Sequence, residues 1–185
     1  MMAKPHPLLF LDRDGVINQE STTYIKHPDE WVPIPGSLEA IARATRAGCH
    51  LVVVTNQSGL ARGLFDLDTL NAIHGRMIDA VRQVGGRLDA IAFCPHHPDA
   101  GCECRKPQPG LLKEVGMRLN VPLAEAWVVG DRPADLQAAA AVGAHRILVR
   151  TGYGLGTEAE LGPGESDVVV CDDLAAAIDG LLAAL

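Results

Sequence analysis

Asp12 and Asp14 stand two residues apart in Asp12-Arg13-Asp14-Gly15-Val16, directly after the apolar run 8–11. Carboxylates this close repel, so the cluster is costly unless a cation sits among them. A third acid, Asp131, follows another apolar run in Trp127-Val128-Val129-Gly130-Asp131. Three hard oxygens, together with waters and a phosphate oxygen, suit octahedral Mg²⁺. In such a site a carboxylate can attack phosphorus and form an aspartyl-phosphate, while the metal offsets the repulsion between nucleophile and phosphate. The neighbouring acid can protonate the leaving alkoxide and then take a proton from the hydrolytic water. The transferring phosphoryl group also needs donors around its equatorial oxygens. The Thr55 hydroxyl, nearby backbone N–H groups and the Lys106 ammonium are the candidates. Asp-x-Asp-Gly alone is also a common turn or calcium-loop fragment. The later ligands and closing Glu of an EF-hand are missing here.

A second cluster is built of soft donors. Cys94, His96, Cys102 and Cys104 form the pattern C-x-H-x5-C-x-C. Three thiolates and one imidazole suit a tetrahedral Zn²⁺ with no position left for water. The zinc is therefore expected to be structural, fixing a loop that delivers Arg105 and Lys106. His97 is the alternative to His96. The two remaining cysteines, Cys49 and Cys171, read as small buried hydrophobes.

These groups need a frame that brings distant segments together. Short apolar runs alternate with helical patterns. The strands are 7–11, 50–54, 90–93, 126–129, 145–149 and 167–170. The helices are 37–47, 66–84, 109–119, 133–142 and 172–182, with Ser37 as a candidate N-cap and Gly48 as a stop. Continuously apolar strands fit a parallel sheet covered on both faces, and the alternation points to a doubly wound α/β fold. Segments 95–107 and 152–164 read as loops, the latter holding five glycines. Ligands of such sheets bind at the carboxyl ends of the strands. The runs ending at Leu11, Val54 and Val129 lead into Asp12, Thr55-Asn56 and Gly130-Asp131, so all three should meet at one edge.

Bulk composition agrees. A chain of 185 residues, 48% hydrophobic and 21% charged, is long enough for one domain over residues 1–185 with a substantial core. Sixteen basic against twenty-three acidic residues leave no excess for a nucleic-acid backbone. A small anionic substrate remains compatible with local cations. No apolar run reaches membrane-span length and no signal-peptide pattern is present, so a cytosolic protein without nucleic-acid or membrane partners is expected, and the lack of a long apolar surface stripe points to a monomer.

Asp12-Arg13-Asp14-Gly15-Val16, Thr55-Asn56-Gln57-Ser58-Gly59, Arg105-Lys106-Pro107 and Gly130-Asp131-Arg132-Pro133-Ala134-Asp135 resemble the four ordered motifs of the haloacid dehalogenase-like (HAD) phosphatases. The match runs from about Leu8 to Thr151. The resemblance implies Asp12 as nucleophile, Asp14 as general acid/base, and Thr55 and Lys106 as phosphoryl stabilisers. It implies Mg²⁺ on Asp12, the Asp14 backbone carbonyl and Asp131, with Asp135 orienting the site from behind. No room is left between the motifs for a cap domain.

The zinc loop between the second and third motifs resembles a subgroup acting on heptose bisphosphates or histidinol phosphate. The heptose reaction serves lipopolysaccharide core synthesis. Selection by a capless enzyme must come from loops, 19–24, 57–63 and the zinc loop. Glu20, Tyr24, Asn56, Gln57, Ser58 and Arg105 are expected to contact substrate, together with Arg13 and Arg132 beside the acids. Arg105 would hold a second phosphate in bidentate fashion. Arg62 is more simply a solvated surface residue. An acidic Glu20 would suit histidinol phosphate instead, and a catalytically silent zinc-stabilised binding module is the remaining alternative.

Overall fold

The computed structural model describes residues 7–184. The order is β1 (Leu8–Leu11), α1 (Ser37–Arg46), β2 (His50–Asn56), α2 (Leu67–Gln83), β3 (Ala90–Cys94), α3 (Gly110–Leu119), β4 (Trp127–Gly130), α4 (Pro133–Ala140), β5 (His145–Val149), α5 (Gly154–Ala159), β6 (Val169–Cys171) and α6 (Leu174–Ala184). The six strands form one sheet in the order β3-β2-β1-β4-β5-β6, and every pairing is parallel.

The two faces of β1 explain its unbroken apolar run. Leu9 and Leu11 enter a core shared with Ile41 of α1, Ile73 and Met77 of α2, and Ile178 of α6. Leu8 and Phe10 enter a second core with Leu112 of α3 and Ala138 of α4. Each of these four strand residues is at most 1% exposed. Burying one such side chain is worth about 1.5–3 kcal/mol relative to leaving it in water. This is the doubly wound, Rossmann-like α/β arrangement expected. The sheet order reverses direction at β1, so the crevice beyond β1 and β4 is the switch point where ligands bind.

Several details differ from the sequence reading. Ser37 does not cap α1. Gly36 is the cap, with φ +84°, and Ser37 is the first helical residue. Its hydroxyl donates to the Ile17 carbonyl at 2.7 Å, which ties the loop after β1 to the helix. The last strand is shifted to Val169–Cys171, because Asp167 is engaged by the Arg146 guanidinium. The glycine-rich segment 152–164 is not all loop. It holds α5 and a 3₁₀ turn at Pro163–Glu165. Gly154 lies so close to the Val149 carbonyl that a β-carbon would collide with it. Close approach, rather than flexibility, accounts for that glycine.

No cap domain interrupts the motifs among the described residues. Only a loop with a 3₁₀ turn at Pro28–Glu30, then α1, separates β1 from β2. Among the described residues no helix is long and apolar enough to cross a membrane.

Candidate active site

The ends of β1, β2 and β4 converge as expected. Asp12 leaves β1 with its backbone N–H donating to the Val129 carbonyl at 3.0 Å. Asp12, Asp131 and Asp135 present carboxylate oxygens within 4.8 Å of one another. The Asp14 carboxylate is not part of that cluster. Burial pushes Asp12 up to about 7 and Asp131 up to about 8, and repulsion within the cluster adds to both shifts. Oδ1 of Asp131 is buried without a hydrogen-bond partner, and Oδ1 of Asp12 is buried with the Lys106 ammonium beside it. Crowded buried acids, one with an orphaned oxygen, fit a hard divalent cation.

Asp131 is threaded between two glycines. A β-carbon on Gly15 or Gly152 would collide with its carboxylate, and both glycines have positive φ, +82° and +59°. Residues around α5 hold Asp131 there. The Tyr153 N–H donates to its Oδ2 at 2.8 Å and the Thr157 hydroxyl donates to its carbonyl at 2.8 Å. Thr151 donates to the Gly15 carbonyl at 2.6 Å. Gly15→Ala should therefore cost about 1–2 kcal/mol in left-handed strain alone. It should also displace Asp131. Urea unfolding and the divalent-metal dependence of turnover check this. An unchanged metal requirement would contradict the packing argument.

Lys106 brings the cation. It is 5% exposed, and its Nζ lies 2.9 Å from Asp12 Oδ1 and 2.6 Å from Asp135 Oδ1. Nζ also donates to the Val54 carbonyl at 2.7 Å. Burial alone would lower the Lys106 pKa, but Asp12 and Asp135 carry it above its ordinary value. Asp135 divides its oxygens, taking Lys106 on one and the Arg132 N–H on the other at 3.0 Å, at the start of α4. Thr55, 1% exposed, accepts from Gln57 Nε2 at 2.9 Å.

Asp14 is held differently. Arg13 grips both its oxygens, Nε to Oδ1 at 3.0 Å and Nη2 to Oδ2 at 2.9 Å. Asn18 and Gln57 amides donate to it at 2.9 and 3.1 Å. Burial would raise its pKa, but Arg13, Asn18 and Gln57 outweigh that and hold it below the usual carboxylate value. Trp31 in turn donates to Asn18 Oδ1 at 3.0 Å.

Several residues expected on the substrate therefore have structural partners. Arg13 is 1% exposed and sits behind Asp14. Asn56 clamps the Lys106 backbone reciprocally, at 3.0 and 3.1 Å. Gln57 bridges Asp14 and Thr55. These three nevertheless line the cavity of about 370 Å³ above the acids, as do Glu20, Tyr24, Ser58, Arg105 and Arg132. That volume lies near the lower end for small-ligand sites. Glu20 pairs with Arg132 at 2.9 Å, and the Arg132 guanidinium lies 3.8 Å above the Tyr153 ring. Arg105 Nη1 is buried without a partner. Arg62 is exposed and lies outside the cavity lining.

The sulfur cluster forms beside this cavity. Cys94, His96, Cys102 and Cys104 offer ligand atoms within 4.8 Å of one another. The Sγ–Sγ distances are 3.3–3.6 Å, and His96 Nδ1 lies 3.2 Å from Cys104 Sγ and 3.5 Å from Cys94 Sγ. A tetrahedron with Zn–S of ~2.3 Å has edges of roughly 3.8 Å, slightly shorter to nitrogen. The cluster is thus at metal-ligand spacing. His97 is turned away and accepts from the Asp99 N–H at 3.4 Å, capping the turn Pro98–Ala100. Two residues past Cys104 the chain reaches Lys106.

Comparison with known proteins gives the frame a name. The HAD-hydrolase-like family model matches residues 103–177. The D-glycero-beta-D-manno-heptose-1,7-bisphosphate 7-phosphatase of Bordetella bronchiseptica is 55% identical over 175 residues, covering 95% of this chain and 97% of that protein. This chain belongs to the HAD-like hydrolases. The Pseudomonas aeruginosa protein of the same name is 50% identical to this HAD-like hydrolase, over 95% of its chain and 97% of the relative. A crystal structure of D,D-heptose 1,7-bisphosphate phosphatase from B. bronchiseptica, complexed with magnesium and phosphate, superposes with TM-score 0.93 at 53% identity. It covers 97% of this chain and 99% of that one.

Four contributors to the hydrolase's site escaped the sequence reading. Asn18 is one turn beyond Asp14, and that spacing could have flagged it. Tyr153 and Thr157 lie in the glycine-rich stretch mistaken for a loop. His74 lies within α2, where nothing in the spacing points toward the acids.

Proposed function

We propose that this hydrolase removes the 7-phosphate of D-glycero-β-D-manno-heptose 1,7-bisphosphate through an aspartyl-phosphate on Asp12. Arg105 carries the substrate class. Arg105 lines the cavity one residue from Lys106 and its guanidinium has an Nη1 without a hydrogen-bond partner, which suits a ligand with a second phosphate. The relatives named above support the heptose and its β anomer. The carboxylates of Asp12 and Asp131 and the backbone carbonyl of Asp14 would hold Mg²⁺, which supplies charge neutralisation for the incoming phosphate.

The chain's own groups do the rest. Asp12 attacks phosphorus, and Lys106, Thr55 and nearby backbone N–H groups hold the equatorial oxygens. Asp14 is a carboxylate in the free protein. An arriving phosphate dianion favours its protonated form, so the seated substrate prepares it to protonate the leaving alkoxide. It then takes a proton from the water that hydrolyses the aspartyl-phosphate. Zn²⁺ on Cys94, His96, Cys102 and Cys104 would fix the loop that presents Arg105 and Lys106. One domain acts as a monomer in the cytosol, toward nucleotide-activated heptose for lipopolysaccharide core.

Two measurements test this reading. Initial rates on α- and β-heptose 1,7-bisphosphate, fructose 1,6-bisphosphate and histidinol phosphate should give the highest kcat/KM for the β-heptose. A preference for histidinol phosphate would reverse the substrate assignment. Metal analysis after gentle purification should find about one zinc per chain, and stripping it should unfold the loop and abolish turnover. A zinc-free, fully active protein would remove zinc from the account.

A further inference from the structure

His74 is buried, titratable and unused by the chemistry above. It lies in the middle of α2 and is 6% exposed. Its Nε2 is 3.4 Å from Arg13 Nη1. A guanidinium can only donate, so Nε2 must be the acceptor and the proton must sit on Nδ1. Burial and the Arg13 charge also push the His74 pKa down to about 4, which keeps the ring neutral. Phe93 of β3 packs obliquely against the ring, with centroids 6.0 Å apart.

The same guanidinium is otherwise committed to Asp14 and to Gln57 Oε1, the latter at 3.2 Å. Nη1 is the nitrogen those groups leave over. Without His74 a buried donor would lack a partner, and the fork could rotate to find one. That rotation would move the Asp14 carboxylate, which depends on both arms of the fork.

We propose that His74 is a positioning residue for acid/base catalysis, a neutral acceptor on α2 that fixes the Arg13 fork and thereby aims Asp14. The inference rests on Asp14 being the acid/base. It places one requirement for turnover on a helix that contributes no group to the cavity wall.

The test compares His74→Leu, which has no acceptor, with His74→Gln, whose Oε1 can stand where Nε2 stands. His74→Leu should lower kcat by about ten- to a hundredfold, since a small misplacement near the chemistry has effects of that size. KM should stay within about twofold, because bound substrate does not touch the ring. His74→Gln should recover most of the loss. A leucine variant with unchanged kcat overturns the inference. Equal losses in both variants also overturn it, since packing rather than the acceptor would then matter. Thermal unfolding of each variant confirms folding, and His74→Met repeats the comparison if the leucine variant does not fold. Asp14→Asn is assayed alongside. If it turns over normally, the acid/base assignment fails. If it is inactive while His74→Leu is not, only the positioning role falls.

Discussion

Asp12→Asn should abolish turnover while leaving the fold and the sulfur cluster intact. Asparagine matches aspartate in shape but its amide oxygen is too weak a nucleophile to form the phosphoryl-enzyme. A loss of about 10⁴-fold or more in kcat is expected for removing the covalent route. The same variant should be more stable than the parent in magnesium-free buffer, and the sign follows from burial. Asp12 in the folded protein has its pKa raised from 3.8 to about 7. Stability from such a group is fully present below the unfolded value and lost as pH rises through the folded one. Asparagine carries no such penalty. Its advantage should be larger at pH 8 than at pH 6 and reach at most a few kcal/mol. Steady-state assays and urea unfolding at the two pH values measure both effects. Near-parental activity would mean that Asp12 is not the nucleophile.

Lys106→Met should damage activity and stability together. The ammonium stands between Asp12 and Asp135 and is almost fully enclosed. Removing one partner of a buried ion pair costs about 3–5 kcal/mol, because the remaining charge is left uncompensated. Here two carboxylates lose their cation, and the Val54 carbonyl loses a donor. Chemistry loses a positive charge beside the transferring phosphoryl group, worth about 10²–10³-fold in kcat by analogy with an oxyanion donor. The pattern is opposite to that of Asp12→Asn, which loses activity and gains stability. Added magnesium should restore part of the stability of Lys106→Met by neutralising the same acids. A variant as stable as the parent would show that Lys106 is not balancing the cluster.

The frame of the site was legible because its reactive residues are tied to strand ends. Continuous apolar runs at 8–11, 51–54 and 127–129 identified three buried parallel strands, and the residue after each run could only face the sheet edge. That Cys94, His96, Cys102 and Cys104 cluster was legible from their spacing. What was hidden depended on contacts between distant segments. Asp135 looked like a supporting residue, yet it joins the carboxylate cluster and pairs with Lys106. Arg13 lines the cavity as expected of a substrate contact, and its grip on Asp14 is a second engagement that the sequence did not display. Gly154 looked like a loop breaker because the sequence does not display the Val149 carbonyl it must pass. Ser37 looked like a cap because its hydroxyl could serve either the helix or the Ile17 carbonyl, and tertiary contact chose the latter.

The strand order bears on how activity first appears in a newly made chain. Leu9 and Trp127 are sheet neighbours, yet most of the first two-thirds of the chain lies between them. A pairing that closes so long a loop forms late and slowly compared with local contacts. Asp12 and Asp131 ride on the two strands that this pairing joins. A ribosome-bound or truncated chain ending before β4 could form β1, β2 and β3 and still lack a complete carboxylate cluster. Assembly of the complete carboxylate cluster, and with it hydrolysis, therefore waits on the pairing of β1 with β4.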